Sequence, residues 1–134
     1  MDEKEQKYAE LQMMQQQIEQ LSQRTEEINA QLLDLGISKG ALEEISKTTE
    51  GTPILAQIAN GIFIKATLTK NSSVIVNVGA DTVVEKTIPE VLEMLKEQET
   101  LLTQTADQIE AMLQNVGAQA MKEIEIMEDN DTKV

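Results

Sequence analysis

The 134-residue chain contains no cysteine, no histidine and no tryptophan, and its aromatic residues are Tyr8 and Phe63 alone. Without cysteine there is no disulfide and no thiolate metal site, a composition that suits a reducing compartment. Without histidine the commonest metal ligand and the commonest general base near neutral pH are both missing. Aromatic poverty bears on architecture, because a compact domain of this length ordinarily buries several rings. The apolar content here is Leu, Ile, Val, Met and Ala, which suits a seam or thin layer better than a thick core. No apolar run approaches the roughly 20 residues of a membrane span. The opening stretch MDEKEQKYAE is charged and lacks the apolar core of a secretory signal. The sequence therefore reads as cytoplasmic, with no membrane association.

Positive charge is also scarce. The formal net charge is −13, and its distribution says more than its size. Residues 1–50 carry 11 acidic and 5 basic side chains, residues 51–86 carry 2 and 3, and residues 87–134 carry 11 and 3. Phosphate backbones are repelled by such a chain, so nucleic acid is not an expected partner. Catalytic patterns are missing too. There is no GxxxxGK[ST], no HExxH and no Ser–His pair, and the run Glu128–Asp131 lacks the glycine and distal glutamate of a calcium loop. Neither an enzyme, a bound metal nor a cofactor is expected.

What is present divides the chain into helix, strands and helix. Over 1–48, Leu11, Met14, Ile18, Leu21, Thr25, Ile28, Leu32 and Leu35 alternate spacings of 3 and 4, a coiled-coil stripe. Gly36 and Gly40 weaken this helix, but Leu42 keeps the register, so continuation is expected. Thr87-Ile-Pro-Glu90 reads as a capping box opening a second helix over 87–128. Its expected stripe is Val91, Leu95, Gln98, Leu102, Thr105, Ile109, Met112 and Val116. Residues 129–134 are expected to fray. Between the helices, residues 53–86 read as four strands with three tight turns. The strongest hairpin signal is Asn60-Gly61, where both turn positions are expected at positive φ. Beyond the heptads no internal repeat is apparent.

The fold class is therefore α+β: a long antiparallel coiled coil carrying a four-stranded β segment of two hairpins. About 34 residues of sheet cannot make an independent core, and open strand edges template pairing with other chains. The strands are expected to pair with strands from other subunits, using Ile62, Phe63, Ile64, Val74, Val76, Val78 and Val83. The alternative, a sheet folded over its own helices, needs a second apolar helix stripe, and none is read.

The stretch GIFIKATLTKNSSVIVNVGADTVVEKTIPEVLEML resembles the region between the helices of an α-type prefoldin subunit, most specifically in the valine-rich strand before VGAD and in VEKTIPE. The specific part covers about 40 residues, whereas the layout covers the whole chain. Room for two hairpins rather than one points to the α type, and the resemblance points to an archaeal source. It implies a heterohexamer of two α-type and four β-type subunits whose strands complete an intersubunit β-barrel, an ATP-independent chaperone that captures non-native polypeptides and delivers them to a group II chaperonin. If facing residue numbers sum to about 135, the far end of the coiled coil gathers Tyr8, Leu11, Met13, Met14, Met121, Ile124, Ile126 and Met127. These residues are the expected client-binding site. Beyond Val116 the apolar face is expected to broaden as the heptad phase slips, and four of the seven methionines lie in this cluster. The rival reading is an oligomeric coiled-coil spacer that binds one specific partner and would tolerate a closed, regular heptad end, which this sequence is not expected to have.

Overall fold

A computed structural model describes residues 2–132. The order is α1 (Glu3–Lys47), β1 (Pro53–Ala59), β2 (Ile62–Thr67), β3 (Ser73–Gly79), β4 (Thr82–Thr87) and α2 (Ile88–Thr132). Both helices hold 45 residues. Helix α1 runs unbroken through Gly36 and Gly40. Helix α2 starts as its capping box dictates, with the Glu90 N–H donating to the Thr87 hydroxyl at 3.3 Å. It continues to Thr132, past residue 128, so the segment 129–132 is helical rather than frayed. The local sequence permits this, since 129–132 contains neither glycine nor proline. Lys133 and Val134 lie outside the described residues.

The chain forms two compact units, one of Met1–Leu32 with Thr100–Val134, the other Leu33–Glu99. In the first unit the half-buried or buried positions of α1 are Lys7, Leu11, Met14, Ile18, Leu21, Thr25, Ile28 and Leu32. Thr25 is tolerated in this stripe because its hydroxyl donates to the Leu21 carbonyl at 3.0 Å. On α2 the stripe is Leu102, Ala106, Ile109, Leu113, Val116, Ala120, Glu123 and Met127, accompanied by Thr105 and Gly117. Ile28 and Ile109 are its buried core.

The α2 stripe differs from the expected one. Leu113 is half-buried where Met112 was expected, and Met112 is 52% exposed. The physical reason lies in the competing frames. Ala106, Leu113, Ala120 and Met127 recur every seven residues and are all apolar, whereas Thr105, Met112 and Gln119 in the neighbouring frame are not. The frame with more apolar burial wins, and the expected phase slip beyond Val116 does not occur.

In the second unit α1 contributes Leu35, Lys39, Leu42 and Ile45, and α2 contributes Ile88, Leu92, Leu95 and Glu99, with Val91 and Met94 beside them. Gln98 is exposed and Glu99 takes the seam position. Its carboxylate accepts a 3.0 Å hydrogen bond from the Lys39 ammonium. Two apolar residues away from the seam were not expected from sequence: Leu33 and Ile37 are 66% and 64% exposed, and lie about half a turn of helix from the seam. A pair this short, on either side of Gly36, carries too weak a periodic signal to be read.

The four strands form two separate two-stranded antiparallel sheets, β1–β2 and β3–β4. Their registers are superimposable with an offset of 20 residues. Pro53 pairs with Thr67 as Ser73 pairs with Thr87, Ala56 with Ile64 as Val76 with Val84, and register shifts fall at Gln57/Ala59 and Asn77/Gly79. The closing bonds repeat as well: the Leu68 N–H donates to the Thr52 carbonyl and the Ile88 N–H to the Ser72 carbonyl, each at 3.0 Å. The chain thus contains an internal repeat that sequence reading missed, because the two copies share almost no identical residues. The pattern of pairing is duplicated rather than the letters.

The turns differ between the copies. At 60–61 only Gly61 takes positive φ, 78°, so this is not the doubly left-handed turn that Asn-Gly suggests. That geometry falls instead on Ala80 and Asp81, at 48° and 60°, after Gly79 at 116°. Asn77 supports it by accepting the Gly79 N–H at 2.9 Å. Residues 68–72 are likewise no tight turn. They are a link bonded back to the end of α1: the Asn71 side chain donates to the Thr48 carbonyl at 3.0 Å, and its N–H to the Glu50 carboxylate at 3.3 Å. With the link tied to Thr48 and Glu50, β2 and β3 remain in separate sheets.

Candidate functional site

Two sets of residues carry the expected function, and each is described within its own unit. The strand set lies in the second unit. Register places Ile54, Ala56, Ile64 and Ala66 on one face of the first hairpin and Leu55, Gln57, Phe63 and Lys65 on the other. Both faces meet solvent: Ile54 is 37% and Ile64 48% exposed on the first, Leu55 66% and Phe63 53% on the second. In the second hairpin Val74, Val76, Val84 and Lys86 are half-buried on one face, while Ile75 and Val83 are exposed on the other. Of the strand residues expected to assemble, Ile62, Phe63, Ile64, Val78 and Val83 are exposed and Val74 and Val76 half-buried.

A two-stranded hairpin with apolar groups on both faces and two open edges is marginal by itself in water. Among the described residues, the close backbone contacts of the strands run within each hairpin. The second hairpin is pinned by a surface network in which Glu85 accepts from Ser73 at 2.7 Å and from Lys70 at 3.1 Å. The Ser73 hydrogen bond first, then Lys70, holds the Glu85 carboxyl below its ordinary value.

The helix-end set lies in the first unit. Leu11, Met14 and Met127 are half-buried seam residues. Tyr8, Met13, Met121, Ile124 and Ile126 are exposed, the last two at 45% and 42%. Helix geometry puts Ile124 and Ile126 on opposite flanks of the α2 seam and Met121 one turn before Ile124. Tyr8 and Met13 fall on opposite sides of α1, so they share no face. The heptad continuation beyond Val116 includes Glu123, but sequence reading missed the shielding of its carboxylate. Glu123 occupies a seam position between Ala120 and Met127, and one carboxylate oxygen is shielded without a hydrogen-bond partner, which weakens the seam locally. Sequence reading also missed the Lys39–Glu99 pair, although both lie four residues after a seam leucine, Leu35 and Leu95.

Two long helices pairing through a heptad seam, joined by a duplicated, solvent-exposed hairpin, define an α+β coiled-coil protein of oligomerising type. The prefoldin subunit family model matches residues 14–131, and the chain belongs to the prefoldin family, with α-type relatives. It is 34% identical over 83 residues to prefoldin subunit alpha of Methanothrix thermoacetophila, covering 62% of this chain and 53% of that protein. With prefoldin subunit alpha of Pyrococcus horikoshii it shares 28% identity over 124 residues, 89% of this chain and 84% of that one. The match spans about half the length of the Methanothrix protein. In fold the chain is similar to a filamentous PFD from Methanocaldococcus jannaschii, with a TM-score of 0.79 and 19% identity over 88% of this chain and 98% of that one. Among the described residues, no helix is long and apolar enough to cross a membrane.

Proposed function

We propose that this chain is a subunit of an ATP-independent cytoplasmic chaperone. Its hairpins join strands of β-type subunits in an α2β4 complex, and its helix ends hold non-native polypeptides for delivery to a group II chaperonin. The observation that carries the assembly half is the hairpin pair, apolar on both faces and open at every edge. A duplicated unit supports it further, since two equivalent hairpins let one chain engage two neighbours. For the client half, support comes from the exposed Met121, Ile124 and Ile126 beside a seam weakened at Glu123. Separation of the helix ends there would add Leu11, Met14 and Met127 to the surface offered to a client. Nothing in this scheme requires turnover of a nucleotide, and the complex is expected to hydrolyse none.

One observation favours the spacer reading. Burial on α2 keeps strict 4–3 spacing through Met127, which is the closed end that a spacer would have. Aggregation assays separate the two. A complex carrying Tyr8→Ser, Ile124→Ser and Ile126→Ser, all exposed in the chain, is expected to lose suppression of the aggregation of several unrelated denatured proteins. Undiminished suppression would remove the helix ends as the site, and failure of the unaltered complex to protect any of them would favour the spacer.

A further inference from the structure

In the second unit, helix α1 carries an apolar pair on the side away from its seam. Leu33 and Ile37 stand one turn apart there and are largely exposed. Asp34 and Glu44 share that side, three residues before Ile37 and seven after it. Both are exposed, and neither has an ion-pair partner among the described residues. The nearest bases on α1 face elsewhere. Lys39 bonds to Glu99 at the seam, and Lys47 lies ten residues beyond Ile37, about a quarter turn round the helix. This side of α1 is therefore apolar at its centre and acidic around it.

The first hairpin offers the counterpart. Its register puts Leu55, Phe63 and Lys65 on one face, with Leu55 directly opposite Lys65, and both apolar side chains meet solvent. Lys65 is the one charged residue from Pro53 to Thr67. It is exposed and has no ion-pair partner among the described residues. The second hairpin repeats this register twenty residues later with the charge reversed. Glu85 stands at the position equivalent to Lys65, and is already bonded to Ser73 and Lys70. An acidic helix side therefore favours the first hairpin over the second.

Leu33, Ile37, Leu55 and Phe63 are all exposed, so the chain does not cover one set with the other. The dimensions of the two sets agree. Leu33 and Ile37 are about 5–6 Å apart along the helix, and Leu55 and Phe63, diagonal across the strand pair, about 7–8 Å. Ile37 lies about 15 Å of helix from Lys47, within the roughly 23 Å length of a seven-residue strand.

We propose that the Leu33–Ile37 side of α1 docks the first hairpin of a second copy of this chain. Leu55 and Phe63 rest on Leu33 and Ile37, and the Lys65 ammonium lies against Asp34, with Glu44 adding to the field. The contact joins a sheet face to a helix side. It is thus distinct from strand-edge pairing and from the helix ends, and depends on neither.

The absence of cysteine makes the test direct. Two differently tagged copies, one with Ile37→Cys and the other with Phe63→Cys, are refolded together, alone and with β-type subunits, and oxidised. A disulfide joining the two tags is expected in the mixed complex, at a yield at least roughly tenfold above that of Ile37→Cys with Val83→Cys, the equivalent position of the second hairpin. Lys65→Glu should lower the yield about fivefold, and Asp34→Lys with Glu44→Lys should restore it. Native mass of the same samples reports assembly separately, so a complex that assembles without the crosslink sinks the docking and leaves strand pairing intact. A crosslink missing from both preparations, equal yield with Val83→Cys, or indifference to Lys65→Glu would overturn the proposal. So would Ile37→Cys shielded from a maleimide in the complex without forming the crosslink, which would mean that a β-type subunit covers this side instead.

Discussion

The Lys39–Glu99 pair offers a quantitative check of how the two helices are held in register. Both residues occupy positions where the preceding heptad supplies leucine, Leu32 and Leu92, and the two charges meet at 3.0 Å with side chains 31% and 43% exposed. A fully exposed pair is worth about 0.2–1 kcal/mol, whereas removing one member of a fully buried pair costs about 3–5 kcal/mol. Partial exposure sets this one near the lower range, with a coupling of about 1 kcal/mol. Lys39→Met alone strands Glu99 against an apolar seam and should destabilise by about 1–2 kcal/mol. Glu99→Leu alone should do so by a similar amount. The double variant restores a continuous apolar seam and should be at least as stable as the parent. Urea unfolding followed by circular dichroism at fixed protein concentration closes the cycle. A coupling below about 0.3 kcal/mol, or a double variant weaker than both singles, would show that these charges do not meet across the seam.

Three further outcomes follow from local geometry. Ala80 sits at φ 48°, a left-handed conformation that costs a side-chain-bearing residue about 1–2 kcal/mol, so Ala80→Gly should raise the melting temperature of the assembled protein, and a fall would contradict the assigned turn. Gly40 is helical, and an added Cβ meets nothing within 4 Å; Gly40→Ala should therefore stabilise by about 1 kcal/mol, and a loss of assembly instead would mean that a neighbouring subunit packs there. Because Glu85 titrates below its ordinary range in the folded chain, its contribution is present above the unfolded value of about 4.3 and fades as pH falls through the lower folded value. Ser73→Ala should move the Glu85 titration upward in NMR, and an unmoved curve would remove Ser73 as the main cause.

Much of this architecture was legible in the sequence, and the places where it was not are instructive. The α1 stripe was readable because leucine, isoleucine and methionine mark nearly every seam position. On α2 two frames one residue apart both looked apolar, and only the seven-residue recurrence of Ala106, Leu113, Ala120 and Met127 distinguishes them. Alanine contributes little to a periodic signal, so the sequence alone favours Met112 over Leu113 at the seam. Lys39 and Glu99 were invisible to a search for apolar residues, although their heptad positions named them. The hairpin duplication was hidden for another reason: strand pairing depends on alternation and turn geometry, which Ile, Leu, Val and Ala satisfy interchangeably. At the helix ends exposure separates the expected residues. Side chains that one list joined are divided between a seam and two flanks.

The central claim is that residues 53–87 are completed by strands from other polypeptides. Native mass measurement at micromolar concentration tests it most directly, first on this chain alone and then mixed with β-type prefoldin subunits. The account predicts a discrete mixed complex, and its loss when Phe63 and Val83 on the exposed hairpin faces are changed to lysine. A chain that remains a folded monomer both alone and in the mixture would contradict it.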